Sequence, residues 1–234
     1  MTTYSREVFF DEVRDSLFSG ALEQIHVDGM SVILAVWEHD AGGTPMTDER
    51  WLAYMLATTY HECATRMWPI EEYGKGSGHE YGKVDPETGF AYYARGFVGL
   101  TWKDNYQKAS AALGLIDERD LVWNPGLALD SLIAARVMFR GMAEGWFTGR
   151  KLGQYFDEDT DDPINARQII NGNDQDELIA GYHEAFLDAL RLARIPDAVA
   201  PGAVEVIDIA LNRSSKNLLV SITLDGNVIL AAGT

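Results

Sequence analysis

The sequence predicts a mainly helical body followed by a small β appendage, on three observations. Up to Ile195, apolar residues recur at spacings of three and four. Residues that start and stop helices stand at the ends of those runs. Beyond Ile195 the period changes to two around an Asp-Gly pair, which reads as a β-hairpin or a three-stranded appendage.

Ser5 caps a first helix whose Phe9, Val13 and Leu17 share a face, with Gly20 just past its end. A second helix carries Met30, Ile33, Leu34 and Trp37. A third starts near Thr47, with Asp48 and Glu49 where the helix dipole favours acids, and runs through Trp51, Leu52, Met55, Leu56 and Thr59 to Glu62. From Glu71 to Phe90 glycines interrupt any period, so this stretch reads as a loop. Helices resume from Trp102 to Leu113, stopped by Gly114. Asn124-Pro125, a cap followed by proline at the first helical position, opens one helix that continues through Leu132, Ala135, Met138, Phe139 and Met142. A short helix spans Ile164 to Ile170. The last long one opens on Asp174 and Glu177, a capping-box-like pair, and carries Ile179, Tyr182, Phe186 and Leu190.

The expected domains are a helical body over 1–195, a linker over 196–202 marked by Pro196, Pro201 and Gly202, and a β tail over 203–234. In the tail, Val204–Val206, Leu218–Leu224 and Val228–Leu230 alternate, with a turn at Asp225-Gly226-Asn227. Two or three strands are marginal alone. The tail is therefore expected to pack on the body or on a protein partner, through Val204–Thr234.

A hydrophobic share of 47% over 234 residues can bury a real core, which excludes a disordered chain. Nineteen basic against 36 acidic residues leave a net charge of -17, which repels phosphate backbones and anionic membranes and disfavours nucleic-acid binding. No apolar stretch approaches the length of a membrane span. A lone cysteine, Cys63, excludes an internal disulfide and suits a reducing place of synthesis. Met1 to Phe10 has neither a basic n-region nor an apolar h-region, so synthesis in the cytoplasm without a signal peptide is expected.

Chemistry concentrates between Tyr54 and Tyr106. Met55, Thr59 and Glu62 share one face of the third helix, which is otherwise apolar. The negative end of the helix dipole and partial burial both favour a carboxyl that keeps its proton, which suits a general acid. A partner that activates water has to stay ionised, and the following loop offers Glu71, Glu72, Glu80, Asp85 and Glu87. The competing interpretation makes Glu62 a cap or an ion-pair partner of Arg66 or Arg95. His61 is by default a core histidine, with no second histidine four residues away to make a metal pair, and it could also orient Glu62. Cys63 points away from His61 on the helix and reads as a buried, inert thiol. Tyr92, Tyr93 and Trp102 are the better groove candidates among the aromatics. The glycines before Gly82-Lys83 miss P-loop spacing, and the acidic patch Asp157–Asp162 lacks the glycine of an EF-hand loop. No metal or cofactor is expected.

Several strings resemble glycoside hydrolase family 19, the chitinase family, and its phage endolysin branch. They are Ala53–Thr58 through His61-Glu62, Met67-Trp68-Pro69-Ile70-Glu71-Glu72, and Tyr92-Tyr93-Ala94-Arg95-Gly96-Phe97-Val98-Gly99-Leu100-Thr101-Trp102 with Asn105-Tyr106. Asn124-Pro125, Phe147-Thr148-Gly149 and Ala166–Gly172 follow in order, so the similarity runs roughly from Phe9 to Leu190. The resemblance implies a lysozyme-superfamily, two-lobed helical domain with a central groove. It also implies inverting hydrolysis of a β-1,4 bond between N-acetylated sugars.

In that scheme Glu62 matches the general acid and Glu72 or Glu71 the base, with Glu72 favoured by a Pro-Ile-x-Glu pattern. Thr101 matches a hydroxyl that helps hold the water. His61, Tyr93, Arg95, Asn105, Arg167 and Asn171 match positions that bind the sugar or support its groove. Three residues depart from the family pattern. Gly99 replaces a glutamine, which could weaken sugar binding by about 1 kcal/mol. Ala94 replaces a glycine, in a turn that could want positive φ, and Cys63 replaces a small hydroxyl residue. The implied protein is an endolysin or virion-associated lysin, made in a host cytoplasm and acting on peptidoglycan, or less well on a chitin-like glycan. The alternative is a chitinase-like structural protein of a virion, weakened or inactive and docked through its β tail.

Overall fold

The computed structural model describes residues 2–39, 46–195, 208–214, 217–224 and 227–233. The chain forms two compact units, Met1–Ile195 and Pro196–Thr234.

In the first unit, strand β1 (Thr3–Tyr4) pairs antiparallel with β4 (Arg194–Ile195), tying the chain's start to the end of its last long helix. Ser5 caps α1 (Arg6–Ser16) by accepting a hydrogen bond from the Val8 N–H, and Phe9 and Val13 are buried. α2 (Gln24–His39) buries Met30, Ile33, Leu34 and Trp37. α3 (Glu49–Glu62) begins at Asp48, whose carboxylate accepts from the Arg50 N–H, and is buried without interruption from Leu52 to Tyr60. A helix with so little exposed face has to sit in the centre of its lobe. α6 (Asp176–Ala193) packs against both α3 and α1, while α2 packs on α5 (Ser131–Glu144).

Two apolar clusters divide this unit. The larger takes Phe9, Trp37, Leu56, Met138 and Phe186 from α1, α2, α3, α5 and α6. The smaller gathers Tyr106 and Ala109 of α4 (Lys103–Leu113) with Tyr92, Leu121 and Trp146. α5 serves both, giving Ala135 and Met142 to the first and Ile133 and Val137 to the second. This is the mainly helical body that the sequence predicts, built around two cores.

The structure corrects several element boundaries. The helix expected to run on from Asn124-Pro125 is broken: Pro125–Leu129 is a 3-10 turn, and Asp130 then caps α5 by accepting from the Leu132 and Ile133 N–H groups. An aspartate with two free backbone donors ahead of it is a stronger start than the upstream proline. The pair Asp174 and Glu177 forms no capping box. Gln175 holds the N-cap position at φ 59, and the Asp174 carbonyl is taken by Arg167. The helix expected at Ile164–Ile170 is a 3-10 turn, Asn165–Ile169. The 71–90 loop is not wholly irregular, because β2 (Ile70–Glu71) pairs with β3 (Arg95–Gly96) and Glu80–Gly82 forms a 3-10 turn.

The second unit is an antiparallel meander of β5 (Asp208–Ser214), β6 (Asn217–Leu224) and β7 (Asn227–Gly233). The linker 196–202, Val204–Val206 and the turn residues Asp225 and Gly226 lie outside the described residues. Among the described residues no helix is long and apolar enough to cross a membrane.

Buried His183 is a weak point of the core toward acid. It is 2% exposed, stacks on Phe156 at 5.2 Å, and neither ring nitrogen has a hydrogen-bond partner of good geometry. Burial, only partly opposed by Asp161, lowers its pKa from 6.5 to about 4. The unfolded chain takes up this proton near 6.5 and the folded protein only near 4. Stability should therefore fall as pH drops through that window, by about 3 kcal/mol at its end. Thermal melting at pH 7 and 5 should show the loss, and His183→Leu should flatten that part of the slope.

Candidate functional site

The site is built where α3 runs out of core. Its last turn brings His61 and Glu62 to the surface, and Cys63 closes the helix with its N–H on the Thr59 carbonyl. Ala64, Thr65 and Met67 then all adopt positive φ, a cluster of costly conformations that turns the chain back on itself. Packing enforces this reversal: a Cβ on Gly29 of α2 would lie 1.5 Å from the Met67 carbonyl oxygen, so only glycine admits the loop there. The reversal delivers Ile70–Glu71 into pairing with Arg95–Gly96, where Glu71 lines the same cleft as Glu62.

Between them lies a cleft of about 290 Å³ lined by His61, Glu62, Glu71, Glu72, Ala94 and Gly99 among others. Beyond Glu71 and Glu72 a second hollow of about 400 Å³ adds Arg66, Trp68 and Lys75 to the wall. Three of the five loop carboxylates are committed elsewhere. Glu80 pairs with Lys83, while Asp85 and Glu87 both bind Lys103. Two remain for the cleft.

Glu62 does pair with an arginine, though neither Arg66 nor Arg95. Arg167 donates from Nη1 to Glu62 Oε1 at 2.6 Å and from Nε to the Asp174 carbonyl at 2.9 Å. The guanidinium side chain is 3% exposed and the carboxylate 27%, so a buried cation holds the carboxylate from behind while its other side meets the cleft. Glu71 is held differently. Lys75 contacts its Oε1 at 3.0 Å and the Tyr93 hydroxyl donates to Oε2 at 2.8 Å. The Lys75 ammonium, then Tyr93, hold this carboxyl below the usual range. Glu72 has looser company: the Tyr81 hydroxyl and the Ala94 N–H each lie 3.5 Å away.

The remaining sequence candidates split between the cleft wall and its support. Arg95 is 6% exposed, lies 3.6 Å from the centre of the Tyr93 ring, and donates to the Tyr106 hydroxyl. Tyr106 in turn donates to the Tyr93 carbonyl, so Arg95 stands beneath the wall and steadies the ring that holds Glu71. The Thr101 hydroxyl donates to the Gly99 carbonyl and the Asn105 amide to the Thr101 carbonyl, which fixes the hairpin beside the cleft. Asn171 is exposed, with its N–H on the Arg167 carbonyl. Tyr92 is buried, and Trp102 faces a separate hollow. Lys75 and Tyr81 were not singled out from the sequence. The spacing of Lys75 four residues after Glu71 was the available signal, but that spacing implies contact only in a helix.

Cys63 is fully buried, and burial reinforced by Glu62 pushes its thiol up to about 12, so it stays protonated and inert. Ala94 is not among the residues at positive φ, so its methyl group costs no backbone strain, contrary to the sequence expectation. Gly99 is at φ +69, where any side chain would be strained. The local backbone thus favours glycine at the position where the family pattern has glutamine.

No protein-family model and no curated protein matches the chain. Likeness emerges in solved structures. Chitinase C from Streptomyces griseus HUT6037 aligns with a TM-score of 0.50 and 21% identity, over 83% of this chain and 79% of that one. A bacterial family 19 chitinase aligns at 0.49 and 19% identity, over 80% and 94%. A class IV family 19 chitinase from Zea mays aligns at 0.47 and 20%, over 80% and 96%. The likeness is one of fold.

Proposed function

We propose that this protein hydrolyses β-1,4 glycosidic bonds between N-acetylated sugars by an inverting mechanism, with the glycan strand of peptidoglycan as substrate. The carrying observation is that Glu62 and Glu71 line one cleft, each held by its own partners, Glu62 by the buried Arg167 and Glu71 by Lys75 and Tyr93. Glu62, in its protonated form, would pass its proton to the leaving oxygen from Oε2, the oxygen that Arg167 does not engage, and the carboxylate left behind would be neutralised by Arg167. Glu71 would take the proton of a water attacking from the opposite face, with Tyr93 and Lys75 fixing its direction. Inversion needs the carboxyl groups roughly 6.5–9.5 Å apart, with room for that water between them. Thr101, whose hydroxyl oxygen can still accept a hydrogen bond, would help hold it.

Support for a glycan substrate comes from the fold likeness to a chitinase, and support for peptidoglycan from the endolysin-like strings around Glu62, Glu71 and Tyr93. Action at a bacterial cell wall, by release from a phage host or carriage in a virion, is part of the same proposal. So is docking of the β tail on a protein partner. Reducing-end release from peptidoglycan and from chitin oligomers, with the first-formed anomer read by NMR, tests it. Peptidoglycan cleavage with inversion is expected; cleavage of neither substrate would end the proposal. That second result would favour a structural virion protein, a reading motivated by the loss of a side-chain amide at Gly99.

The state of Glu71 gives a further expectation. Its depressed pKa should carry the acidic limb of kcat/KM below the ordinary carboxylate range, near 4. Lys75→Met removes the larger cause of that depression, so the limb should move to higher pH with the plateau rate retained. A pH profile of both proteins checks the sign.

A further inference from the structure

We propose that the hollow beyond Glu71 and Glu72 binds the short acidic peptide that branches from a peptidoglycan strand, with Arg66 receiving one of its free carboxylates. The inference rests on the glycosidase reading above and adds a means of telling peptidoglycan from chitin. The hollow measures about 400 Å³ and is lined by Trp68, Pro69 and Leu129 together with the cations Arg66 and Lys75.

Arg66 is the distinguishing residue. It is exposed, and among the described residues its guanidinium has neither an ion pair nor a hydrogen bond. The backbone nevertheless fixes its place. Thr65 at φ 63 and Met67 at φ 53 flank it, its own N–H donates to the Cys63 carbonyl at 3.0 Å, and Met67 is fully buried. Residues other than glycine are costly at positive φ and persist there only where their surroundings impose it. Packing against Gly29 accounts for the turn, but not for an unpaired guanidinium upon it. Lys75, the second cation of the hollow, is also at positive φ, 47°.

Charge points to the ligand. The chain's net charge of -17 repels anions in general. In this hollow Lys75 neutralises Glu71 at 3.0 Å, which leaves Arg66 and Glu72, one charge of each sign. A guanidinium without a partner takes a carboxylate through two parallel hydrogen bonds. The sugars of chitin offer hydroxyl and amide groups and no carboxylate. A peptidoglycan strand carries, on alternate sugars, a short peptide with free carboxylates and small apolar side chains, which suit Trp68, Pro69 and Leu129. Position fits as well. Ile70, Glu71, Glu72 and Tyr73 line both this hollow and the Glu62 cleft, so the two spaces share a wall. A branch from a sugar in the cleft reaches Arg66 by crossing that wall.

The test compares hydrolysis of peptidoglycan strands that keep their peptides, strands stripped of peptide by an amidase, and chitin oligomers. Stripping leaves the lactyl carboxylate of the sugar itself, so it separates that group from the carboxylates of the peptide. KM should be lowest for the peptide-bearing strands. Arg66→Met should raise that KM roughly fivefold with kcat retained, and leave stripped strands and chitin oligomers unchanged. Arg66→Glu should raise it further, and Arg66→Lys should recover part of the loss. Converting the peptide carboxylates to amides should reproduce the effect of Arg66→Met in the wild-type protein. Arg66 has no partner to lose among the described residues, so melting temperatures should hold. A KM indifferent to Arg66→Met and Arg66→Glu, or shifted equally on intact and stripped strands, overturns the peptide site and leaves the glycosidase standing. Cleavage of neither kind of strand overturns peptidoglycan as the substrate, and the peptide site with it.

Discussion

On the proposed mechanism, replacing Glu62 by glutamine is expected to slow glycan hydrolysis roughly 10²–10⁴-fold, because it removes the carboxyl assigned to protonate the leaving oxygen at the end of α3. The substitution is close to isosteric, and its carbonyl oxygen can still accept from Arg167 Nη1, now 2.6 Å from Glu62 Oε1. The fold should therefore survive. It should not survive at full strength, since the Arg167 side chain is 3% exposed and would lose its counter-charge. Hydrogen bonds to charged groups contribute about 1.5–3 kcal/mol, and the partial exposure of Glu62 puts the loss toward the lower end. Melting temperature and reducing-end release from one preparation separate the two effects. A variant that melts a few degrees lower yet cleaves at the wild-type rate would remove Glu62 from the mechanism.

The pairing of Glu62 with Arg167 also marks where sequence reasoning stops. Caps and helical periods are local, so Ser5 and Gly114 announced the start of α1 and the end of α4 from their own neighbourhoods, while Asp48, expected inside the first turn of α3, is its cap. Asp130 was passed over because the Asn124-Pro125 signal just upstream looked sufficient. The partners weighed for Glu62, Arg66 four positions on and Arg95 in the next motif, are both wrong: Arg66 is exposed, and Arg95 stands beneath Tyr93. The true partner arrives from 105 positions away, on a 3-10 turn docked by α6. Spacing along the chain carries no trace of that contact. Arg167 is legible in the sequence only through the family motif its surrounding string resembles, and the resemblance names the residue without naming its partner. The reverse holds for Ala94, where the motif suggested strain and the backbone has none.

Glu71→Gln and Glu72→Gln should differ, and the difference decides which carboxylate activates water. The sequence pattern favoured Glu72, yet the geometry favours Glu71. A base in an inverting enzyme has to be ionised and aimed, so that one lone pair meets the water throughout the approach to the transition state. Glu71 meets both conditions. Each oxygen has one fixed donor, Lys75 or Tyr93, and the Tyr93 ring is itself braced by Arg95 and Tyr106. Each oxygen keeps a second lone pair. Glu72 has only contacts of 3.5 Å, one from the Tyr81 hydroxyl and one from a backbone N–H, and at that length they orient little. Glu71→Gln is thus expected to lower kcat roughly 10²–10³-fold with KM little changed. Glu72→Gln should act mainly through Tyr81 and the wall it forms, raising KM several-fold. Azide offers an independent check, since a small anion can occupy the place of a lost base and attack from the same face. Rescue of Glu71→Gln by azide, with no rescue of Glu72→Gln, would fix the assignment; the opposite pattern would return the role to Glu72.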